Sequence, residues 1–582
     1  MTDTRQRLVI KASVYILLQY IILRACPWSQ VFRKYSNALG PDALGFIENI
    51  LTEHEIPEED LESSIETLAR EYNKQDDATM KVSIEVLKRV YTSLQDQDED
   101  GGGGVTGMDG IYRDRLNPEN HLWVIDAYEM PRWHWSNERG AFERSAVSSS
   151  VSSTPESRIA AIRDRLDIIR QTVLRNEHFA PSTIPSKDRE KLVTLKSTKQ
   201  LLGRPGQTFL LLGMLTHNKE GKMCLEDADG SVVLDYSTLD EPGEGLYTEG
   251  CFALLEGEYT EDATLEVIAI GQPPSEPRSV ARSIYGHIDF LGKGATSILE
   301  DAHLAIRVRE ELQEMTFFFM SDVCLDIPDT FRNLQRMFDN CIENDFIPKI
   351  IVLCGNFSSK SISHGSGRDI QRYQDGFDAL ADLIASYPLI TRTTHFVLVP
   401  GPLDLTLNSI LPRRPIMSSF TTRLKNKIPK VHFASNPCRI KFFNQEIVIF
   451  REDIMSKMLR NMVGAKPDVS SSDLKRFLVQ TVLDQGYLSP LALNIQPVLA
   501  DYDHSLRLYP LPTALVLADK YDRYKLTYMG CHVFNPGTFS SNTPAFWMYK
   551  PAELNSEEWS VLALLVSHRH QLIADGFDGA NT

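Results

Sequence analysis

Residues 316–359 read TFFFMSDVCLDIPDTFRNLQRMFDNCIENDFIPKIIVLCGNFSS. The stretch opens on an unbroken apolar run, 316–320, the pattern of a strand buried on both faces. Phe331, Leu334, Phe338 and Cys341 then recur at spacings of three and four, which is the stripe of an amphipathic helix. A second strand run follows at 349–353. Strand, helix and strand in succession predict a layered α/β domain. In such domains ligands gather in the loops at the carboxyl ends of the strands. Here those loops are Ser321-Asp322-Val323-Cys324-Leu325-Asp326 and Cys354-Gly355-Asn356-Phe357.

Downstream the alternation continues. Strand runs are read at 395–399, 446–450 and 514–517, with a helix along Phe377, Leu380, Ile384 and Tyr387. The later loops are Pro400-Gly401-Pro402-Leu403-Asp404, Gln496-Pro497, Ala518-Asp519-Lys520-Tyr521 and Asn535-Pro536-Gly537-Thr538.

Upstream the period shortens towards two. Strands are predicted at 209–215, 223–227, 231–235, 251–257 and 265–270, with a hairpin turn at 219–222. Five or so short strands with glycine turns suggest a small barrel of the OB type, closed off by Pro273, Pro274 and Pro277. The first 95 residues read as a small helical bundle. Leu44, Ile47 and Leu51 share one face; Leu61, Ile65, Leu68 and Tyr72 share a second; Met80, Ile84, Leu87 and Tyr91 share a third. Pro57 precedes an acidic first turn, Glu58-Glu59-Asp60, as a helix start should. The acidic run QDQDED at 95–100 and the glycines at 101–104 read as a solvated tether. Residues 145–157, SAVSSSVSSTPES, read as a second loose stretch, followed by a helix near 158–175.

The chain has 582 residues, enough for three or four domains at roughly 150 residues each. Lys and Arg number 61 against 78 Asp and Glu, a formal charge of -17, which excludes binding nucleic acid by bulk electrostatics. The eight cysteines form no CxxC pair and no zinc-ligand spacing, so they read as reduced, buried thiols of an intracellular protein. The apolar stretch at 9–23 is interrupted by Lys11 and Gln19 and is shorter than the ~20 apolar residues of a bilayer span, so it is read as a packed helix and no membrane partner is expected.

The order of the strand-end loops resembles the calcineurin-like metallophosphoesterases, whose loops read DxH, GD, GNH(D/E), a lone His, GHxH and an NPGS turn. In that family two divalent metals clamp a phosphate and activate a water, and Asp, Asn and His supply the ligands. On that pattern Asp322 is kept. Cys324 stands for the next His, Asn356 for the bridging Asp, Pro402 for the ligand Asn and Leu403 for the acid His. Gln496 stands for the lone His, and Asp519 and Tyr521 for the GHxH pair. Gly355, Gly401 and Asn535-Pro536-Gly537, which shape the backbone, survive. The resemblance therefore implies the fold without the chemistry: no catalytic residue, no metal ligand, no cofactor.

An OB barrel followed by an inactivated phosphoesterase resembles the B-subunits of replicative DNA polymerases, and among them the epsilon type. The stretches that carry this are LEDADGSVVLD (225–235), GLYTEGCFALLEGEY (245–259), SDVCLD (321–326), VLCGNFSS (352–359), VPGPLD (399–404), SILPRRP (409–415), SNPCRIKF (435–442), FREDI (450–454) and NPGTF (535–539). The resemblance implies a multidomain chain. Residues 1–95 would be an N-terminal α-helical domain resembling an AAA+ lid, and 96–190 a flexible linker and connecting segment. Residues 191–290 would be the β-barrel OB fold, and 291–582 an α/β, four-layer αββα calcineurin-like phosphoesterase domain. It implies a nuclear, non-catalytic scaffold for DNA replication. That scaffold grips the cysteine-rich C-terminal domain of the polymerase catalytic subunit, reaches the replicative helicase through its N-terminal unit, and shares a holoenzyme with small histone-fold subunits.

Between Asp404 and Glu446 the sequence has no acid but carries Arg413, Arg414, Arg423, Lys425, Lys427, Lys430, Arg439 and Lys441. This basic island is read as a solvated or partner-facing surface, with DNA contact as the alternative. Two further readings stay open on sequence alone. One is a divergent active metallophosphoesterase with Asp322, Asn356 and Asp519 as metal ligands. The other is the B-subunit of the delta or alpha polymerase.

Overall fold

The computed structural model of the chain describes residues 32, 39–53, 58–73, 75, 82–99, 116–145, 147–179, 194–239, 242–362, 366–406, 410–463 and 471–561. The stretch at 9–23, Cys26, Pro57, Met80 and the glycines at 101–104 lie outside the described residues, as do the side chains of Leu51 and Leu61. The chain divides into two compact units, Met1–Arg115 and Leu116–Thr582.

The first unit contains three described helices, α1 (Pro41–Glu53), α2 (Glu58–Asn73) and α3 (Ile84–Glu99). Ile47, Ile65, Leu68, Tyr72 and Leu87 are buried together, as their spacing predicts. On α3 the buried face is set by Val86, Leu87 and Val90, with Val82 ahead of the helix, while Ile84 is only half-buried. The stripe is thus turned from the one read through Met80 and Ile84. The Tyr72 hydroxyl accepts from the Ser83 amide at 3.0 Å and fixes the approach to α3. The acidic run at 95–100, read as tether, is helical up to Glu99. Gln and Glu are adequate helix formers, so propensity suffices to extend the helix through the run.

The second unit begins with β1 (Leu122–Asp126), the hairpin β2 (Trp133–Ser136) and β3 (Ala141–Arg144), and α4 (Pro155–Arg175). Residues 116–175, read as connection apart from the helix, are built into the body. Trp133, Trp135 and Phe142 cluster with Tyr285, Phe290 and Tyr509. The serine-rich stretch is strapped down on the 500–502 turn: the Ser150 amide donates to Asp501 at 2.9 Å, Ser153 Oγ accepts from the Ala500 amide at 3.2 Å, and Ser149 O accepts from the Tyr502 hydroxyl at 3.4 Å. Thr154 caps α4 by accepting from the Ser157 amide.

The barrel follows: β4 (Leu195–Lys196), β5 (Thr208–His217), β6 (Met223–Glu226), β7 (Ser231–Asp235), β8 (Phe252–Tyr259) and β9 (Thr264–Gly271). The strand order is β4-β5-β6-β7-β9-β8, and β8 also pairs with β5, which closes the sheet on itself. Gly213 and Gly257 are required by close approach. A Cβ at either would stand 2.6 Å from Glu226 O or 2.5 Å from Glu266 O.

Two short helices, α5 (Arg278–Tyr285) and α6 (Ile298–Glu311), lead to the layered domain. Its elements are β10 (Phe317–Met320), α7 (Pro328–Glu343), β11 (Ile350–Cys354), α8 (Gly367–Ala385), α9 (Pro388–Thr393), β12 (His395–Val399), α10 (Ser418–Lys427) and β13 (Val431–Phe433). They continue with β14 (Cys438–Phe442), β15 (Gln445–Arg451), α11 (Ile454–Arg460), α12 (Ser471–Asp484), β16 (Ala514–Ala518), β17 (Tyr524–Tyr528), β18 (Cys531–Asn535), β19 (Ala545–Lys550) and β20 (Asn555–Ser560). Two six-stranded sheets result, β13-β12-β11-β10-β19-β20 and β1-β14-β15-β16-β18-β17. Each has parallel central pairs and an antiparallel edge.

Side-chain alternation sorts the strands between layers. Phe317, Phe319, Ile350, Val352 and Val397 meet Ile440, Ile447, Ile449 and Val516 of the other sheet. Phe318, Met320, Ile351 and Phe396 face the opposite way, onto Leu334, Phe338, Phe377 and Leu380 of α7 and α8. Val448, Phe450, Leu515 and Leu517 meet Met455, Met458, Leu478 and Val482 of α11 and α12. Helix, sheet, sheet and helix form four layers, and both sheets read as continuous apolar runs because both faces of each are covered.

The barrel and the layered domain share a hydrogen-bonded seam. Gln485 accepts from the Phe252 amide at 2.8 Å and donates to the Phe252 carbonyl at 2.6 Å. Thr248 Oγ1 donates to Pro490 O, and the Leu246 amide donates to Thr481. Beside them Asp484 accepts from Ser275 at 2.6 Å and from Tyr528, and burial pushes its pKa up to about 6. The native state thus holds a proton that the unfolded chain releases between about pH 4 and 6. Above that window the buried charge costs roughly 3 kcal/mol, at 1.36 kcal/mol per unit. Asp484→Asn is therefore expected to raise the unfolding midpoint at pH 8 and to raise it only about a third as much at pH 4.5, where the unfolded chain has released just part of the proton, read by thermal denaturation at both values.

Candidate functional site

The loops singled out in the sequence converge at the carboxyl ends of β10, β11, β12, β15 and β16. Asp322 follows β10 in the left-handed region at φ 52°, which Asp tolerates better than most side chains, and is 2% exposed. Its Oδ1 accepts from Asn356 Nδ2 at 2.9 Å and from the Asn356 amide at 3.2 Å; its Oδ2 accepts from Thr538 at 3.1 Å. The third donor to Oδ1 is one that the sequence reading did not single out. Arg451 closes β15, is fully buried, and donates from Nη2 at 2.7 Å. The same guanidinium donates from Nε to Gly355 O at 2.6 Å and from Nη1 to Asp453 at 2.8 Å and Ala518 O at 3.1 Å. One cation thus ties the ends of β10, β11, β15 and β16 together. Burial alone would raise the Asp322 pKa, but the Arg451 charge outweighs it and holds the carboxyl below its ordinary value.

The other named residues sit around this centre. Asn356 Oδ1 accepts from the Leu403 amide at 2.8 Å. Asp404 accepts from the Gly401 and Phe357 amides at 2.7 and 2.8 Å and from the Tyr373 hydroxyl at 3.1 Å, and burial pushes its pKa up to about 6. Asp519 accepts from the Met455 and Tyr521 amides at 2.8 and 3.0 Å, and burial raises it to about 6 as well. Asn535 accepts from the Asp519 and Gly537 amides and donates to Tyr521 O. The Cys324 thiol is pushed up to about 12, first by burial and then by Asp322. Gln496 is joined to the centre only indirectly: it accepts from Lys457 at 2.5 Å, Lys457 pairs with Glu452 at 2.9 Å, and Glu452 precedes Asp453. Backbone amides and one guanidinium use the oxygens that a metal would need. Among the described residues no group of three or more His, Cys, Asp or Glu is placed to hold a metal ion.

The basic island is not one basic surface. Arg413 is buried on Glu452, and Arg439 is buried on Glu446. Arg423 and Lys427 both pair with Asp382, Lys430 pairs with Glu119, and Lys441 donates to Gly294 O. Arg414 lies over the Tyr128 ring. Five of its eight cations are thus paired with acids from elsewhere in the chain, while Lys425 is exposed. Seven of the eight cysteines fall among the described residues, all buried and unpaired. Among the described residues no helix is long and apolar enough to cross a membrane.

Two family models match the chain. One describes the OB-fold domain of proteins like DNA polymerase epsilon subunit 2 and matches residues 155–274; the other describes the B subunit of DNA polymerases alpha and epsilon and matches residues 317–525. The human DNA polymerase epsilon subunit 2 is 38% identical over 443 residues, covering 75% of this chain and 82% of that one. The B subunit of Schizosaccharomyces pombe DNA polymerase epsilon is 32% identical over 510 residues, 84% of this chain and 83% of that one. The chain belongs to the B-subunit family of DNA polymerase epsilon. The delta or alpha alternative gives way to that assignment, since the bovine relative too, 37% identical over 442 residues (74% of this chain and 82% of that one), is an epsilon subunit. Solved structures similar to parts of the chain include an archaeal phosphodiesterase, 10% identical with a TM-score of 0.24 over 42% of this chain and 99% of that one. The telomere capping protein Ten1 from Saccharomyces pombe is 24% identical with a TM-score of 0.12 over 13% of this chain and 77% of that one.

Proposed function

We propose that the chain is the non-catalytic B-subunit of a nuclear DNA polymerase epsilon holoenzyme, a scaffold with a calcineurin-like phosphoesterase domain in which a guanidinium has replaced the metals. The observation that carries this reading is Arg451 donating to Asp322 at the strand ends. A divalent ion would compete with Arg451 for the Asp322 oxygens and meet its positive charge at contact distance. Pro402 and Leu403 offer no side-chain donor to compensate. The divergent one-metal site on Asp322, Asn356 and Asp519 is disfavoured for the same reason, because Asn356 and Asp519 already spend their oxygens on backbone amides.

The body from the OB barrel through the layered domain would hold the cysteine-rich C-terminal domain of the catalytic subunit. The helical unit within residues 1–95, resembling an AAA+ lid, would reach the replicative helicase. A tether through 101–104 would let the two ends engage separately and raise their effective concentration. Small histone-fold subunits would complete the assembly. Five of the eight cations of the 413–441 stretch are paired with acids of this chain, which lowers the charge available for direct DNA contact there.

The test is purification of the tagged full chain from its own cells, followed by mass spectrometry. An epsilon catalytic subunit is expected as the dominant stoichiometric partner. Recovery of a delta or alpha catalytic subunit in its place would overturn the assignment of partner.

A further inference from the structure

The outer face of the β13-β12-β11-β10-β19-β20 sheet carries α7, α8 and α10 over its parallel strands. Its antiparallel edge is less well covered. Directly opposed residues of an antiparallel pair share a face, so Trp559 lies beside Phe546, and Glu557 beside Met548. Phe546 and Met548 are buried in the core under the helices, but Trp559 is 36% exposed and the Glu557 side chain 44%. Beside them a groove of about 520 Å³ opens at the amino end of β10, within the roughly 300–1,000 Å³ of clefts that enclose a ligand. Phe346, Met548, Ala552 and Trp559 give it an apolar lining. Its carboxylates are Glu314, Glu553 and Glu557, against the two cations Arg309 and Lys550. Lys550 is shared, pairing with Glu553 at 3.2 Å and Glu557 at 3.7 Å.

β20 runs away from that groove. The Val561 amide closes the strand on Pro544 O, at the carboxyl end of β10. The next residues, 562–574, read LALLVSHRHQLIA and lie outside the described residues. Leu565, Val566, Leu572 and Ile573 stand three, four, ten and eleven positions after Leu562, which is one helical stripe. Arg569, seven positions after Leu562, falls on the same stripe and is the only Lys, Arg, Asp or Glu of the segment. Ser567, His568, His570 and Gln571 fall on the other side. Thirteen residues of helix span about 20 Å at 1.5 Å each, and the six of β20 span about 20 Å at ~3.4 Å each. A helix that turns back after Val561 therefore has the length to reach the groove at the far end of the strand.

We propose that residues 562–574 dock in this groove as an amphipathic helix, adding a member to the outer layer over β19 and β20. Leu562, Leu565 and Val566 cover Trp559, and Leu572 and Ile573 enter the apolar end at Phe346 and Met548. Arg569 lays its stem along the apolar wall and brings a third cation to the three carboxylates. An apolar sheet face is stable only when it is covered, and this segment is the apolar stretch that follows the strand directly. Neither the strand-end centre nor the polymerase assignment bears on this docking.

Hydrogen exchange of the full chain, read by mass spectrometry on peptides from 562–574, tests the proposal. These amides are expected to exchange about tenfold or more slowly than in an isolated peptide of the same sequence, at every protein concentration. Leu565→Asp, on the stripe, and Trp559→Ser, in the groove, are each expected to abolish the slowing. Gln571→Asp, on the opposite side of the helix, is expected to keep it. Unchanged exchange in β10 and β11 shows that each variant chain remains folded. Free exchange of 562–574 in the unmodified chain would overturn the proposal. So would slowing that survives Leu565→Asp or Trp559→Ser, which would put the segment on another surface, and slowing that grows with protein concentration, which would make a second copy of the chain its partner.

Discussion

Replacing Arg451 by methionine should destabilise the Leu116–Thr582 body by about 3–5 kcal/mol, the usual loss when one member of a buried ion pair is removed. Methionine fills much of the arginine's space, so the loss is electrostatic rather than a cavity effect. Asp322 would keep Asn356 and Thr538 but lose its only buried counter-charge. The carbonyls of Gly355 and Ala518 would also lose a donor, at about 1–3 kcal/mol for each group left unsatisfied. Lysine should rescue poorly, because one ammonium cannot span acceptors that a planar fork reaches from three nitrogens. The double change Arg451→Met with Asp322→Asn should recover part of the loss, since it leaves no unpaired charge, and the double-mutant cycle isolates the pair. Thermal midpoints and the soluble yield of the unmodified chain, Arg451→Met, Asp322→Asn, the double variant and Arg451→Lys read the result. A loss below about 1 kcal/mol in the single variant would mean that Arg451 does not hold the strand ends together.

Gly355→Ala should be nearly as damaging. A Cβ there would collide with the Asp404 carboxylate and stand 2.6 Å from Gly401 N. Asp404 cannot swing aside cheaply, because its two oxygens hold the Gly401 and Phe357 amides and the Tyr373 hydroxyl. The loops after β11 and β12 would have to part. Overpacking of about 1–3 kcal/mol, added to the lost hydrogen bonds, gives an expected cost of about 3 kcal/mol or more. Gly367→Ala is the control, since nothing lies within 4 Å of a Cβ at that position, and it should change the midpoint little. If both alanines behave alike, the packing argument at Gly355 fails. The glycine that a metal enzyme would use to bring ligands together is kept here because two loops touch through it.

The long buried strands and the helices between them were legible because their periodicity is local. The runs at 316–320, 349–353, 395–399, 446–450 and 514–517 all became central strands, and the five barrel strands appeared within a residue or two of where they were read. The short strands β1, β2 and β3 were not legible. Trp133, Trp135 and Phe142 lie along a few residues with no clear alternation, and only distant aromatic rings give them a core. The strand-end loops were found in the right order and do meet around Asp322. Arg451 was missed because its role comes from partners 96 and 129 positions away. The available signal was its position, a single cation directly after an apolar strand run and before Glu452 and Asp453. The partners of the basic island were hidden for the same reason: Asp382, Glu119, Glu446 and Glu452, which pair with five of its eight cations, are brought there by the fold.

The most direct measurement is metal content and turnover on one purified sample. The full chain, incubated with excess Mn²⁺ and desalted, is analysed for bound metal and assayed on an activated phosphodiester. The account predicts far less than one metal ion per chain and no hydrolysis beyond the buffer rate, with Arg451 keeping its place at Asp322. Stoichiometric metal together with ester cleavage that Asp322→Asn abolishes would contradict it.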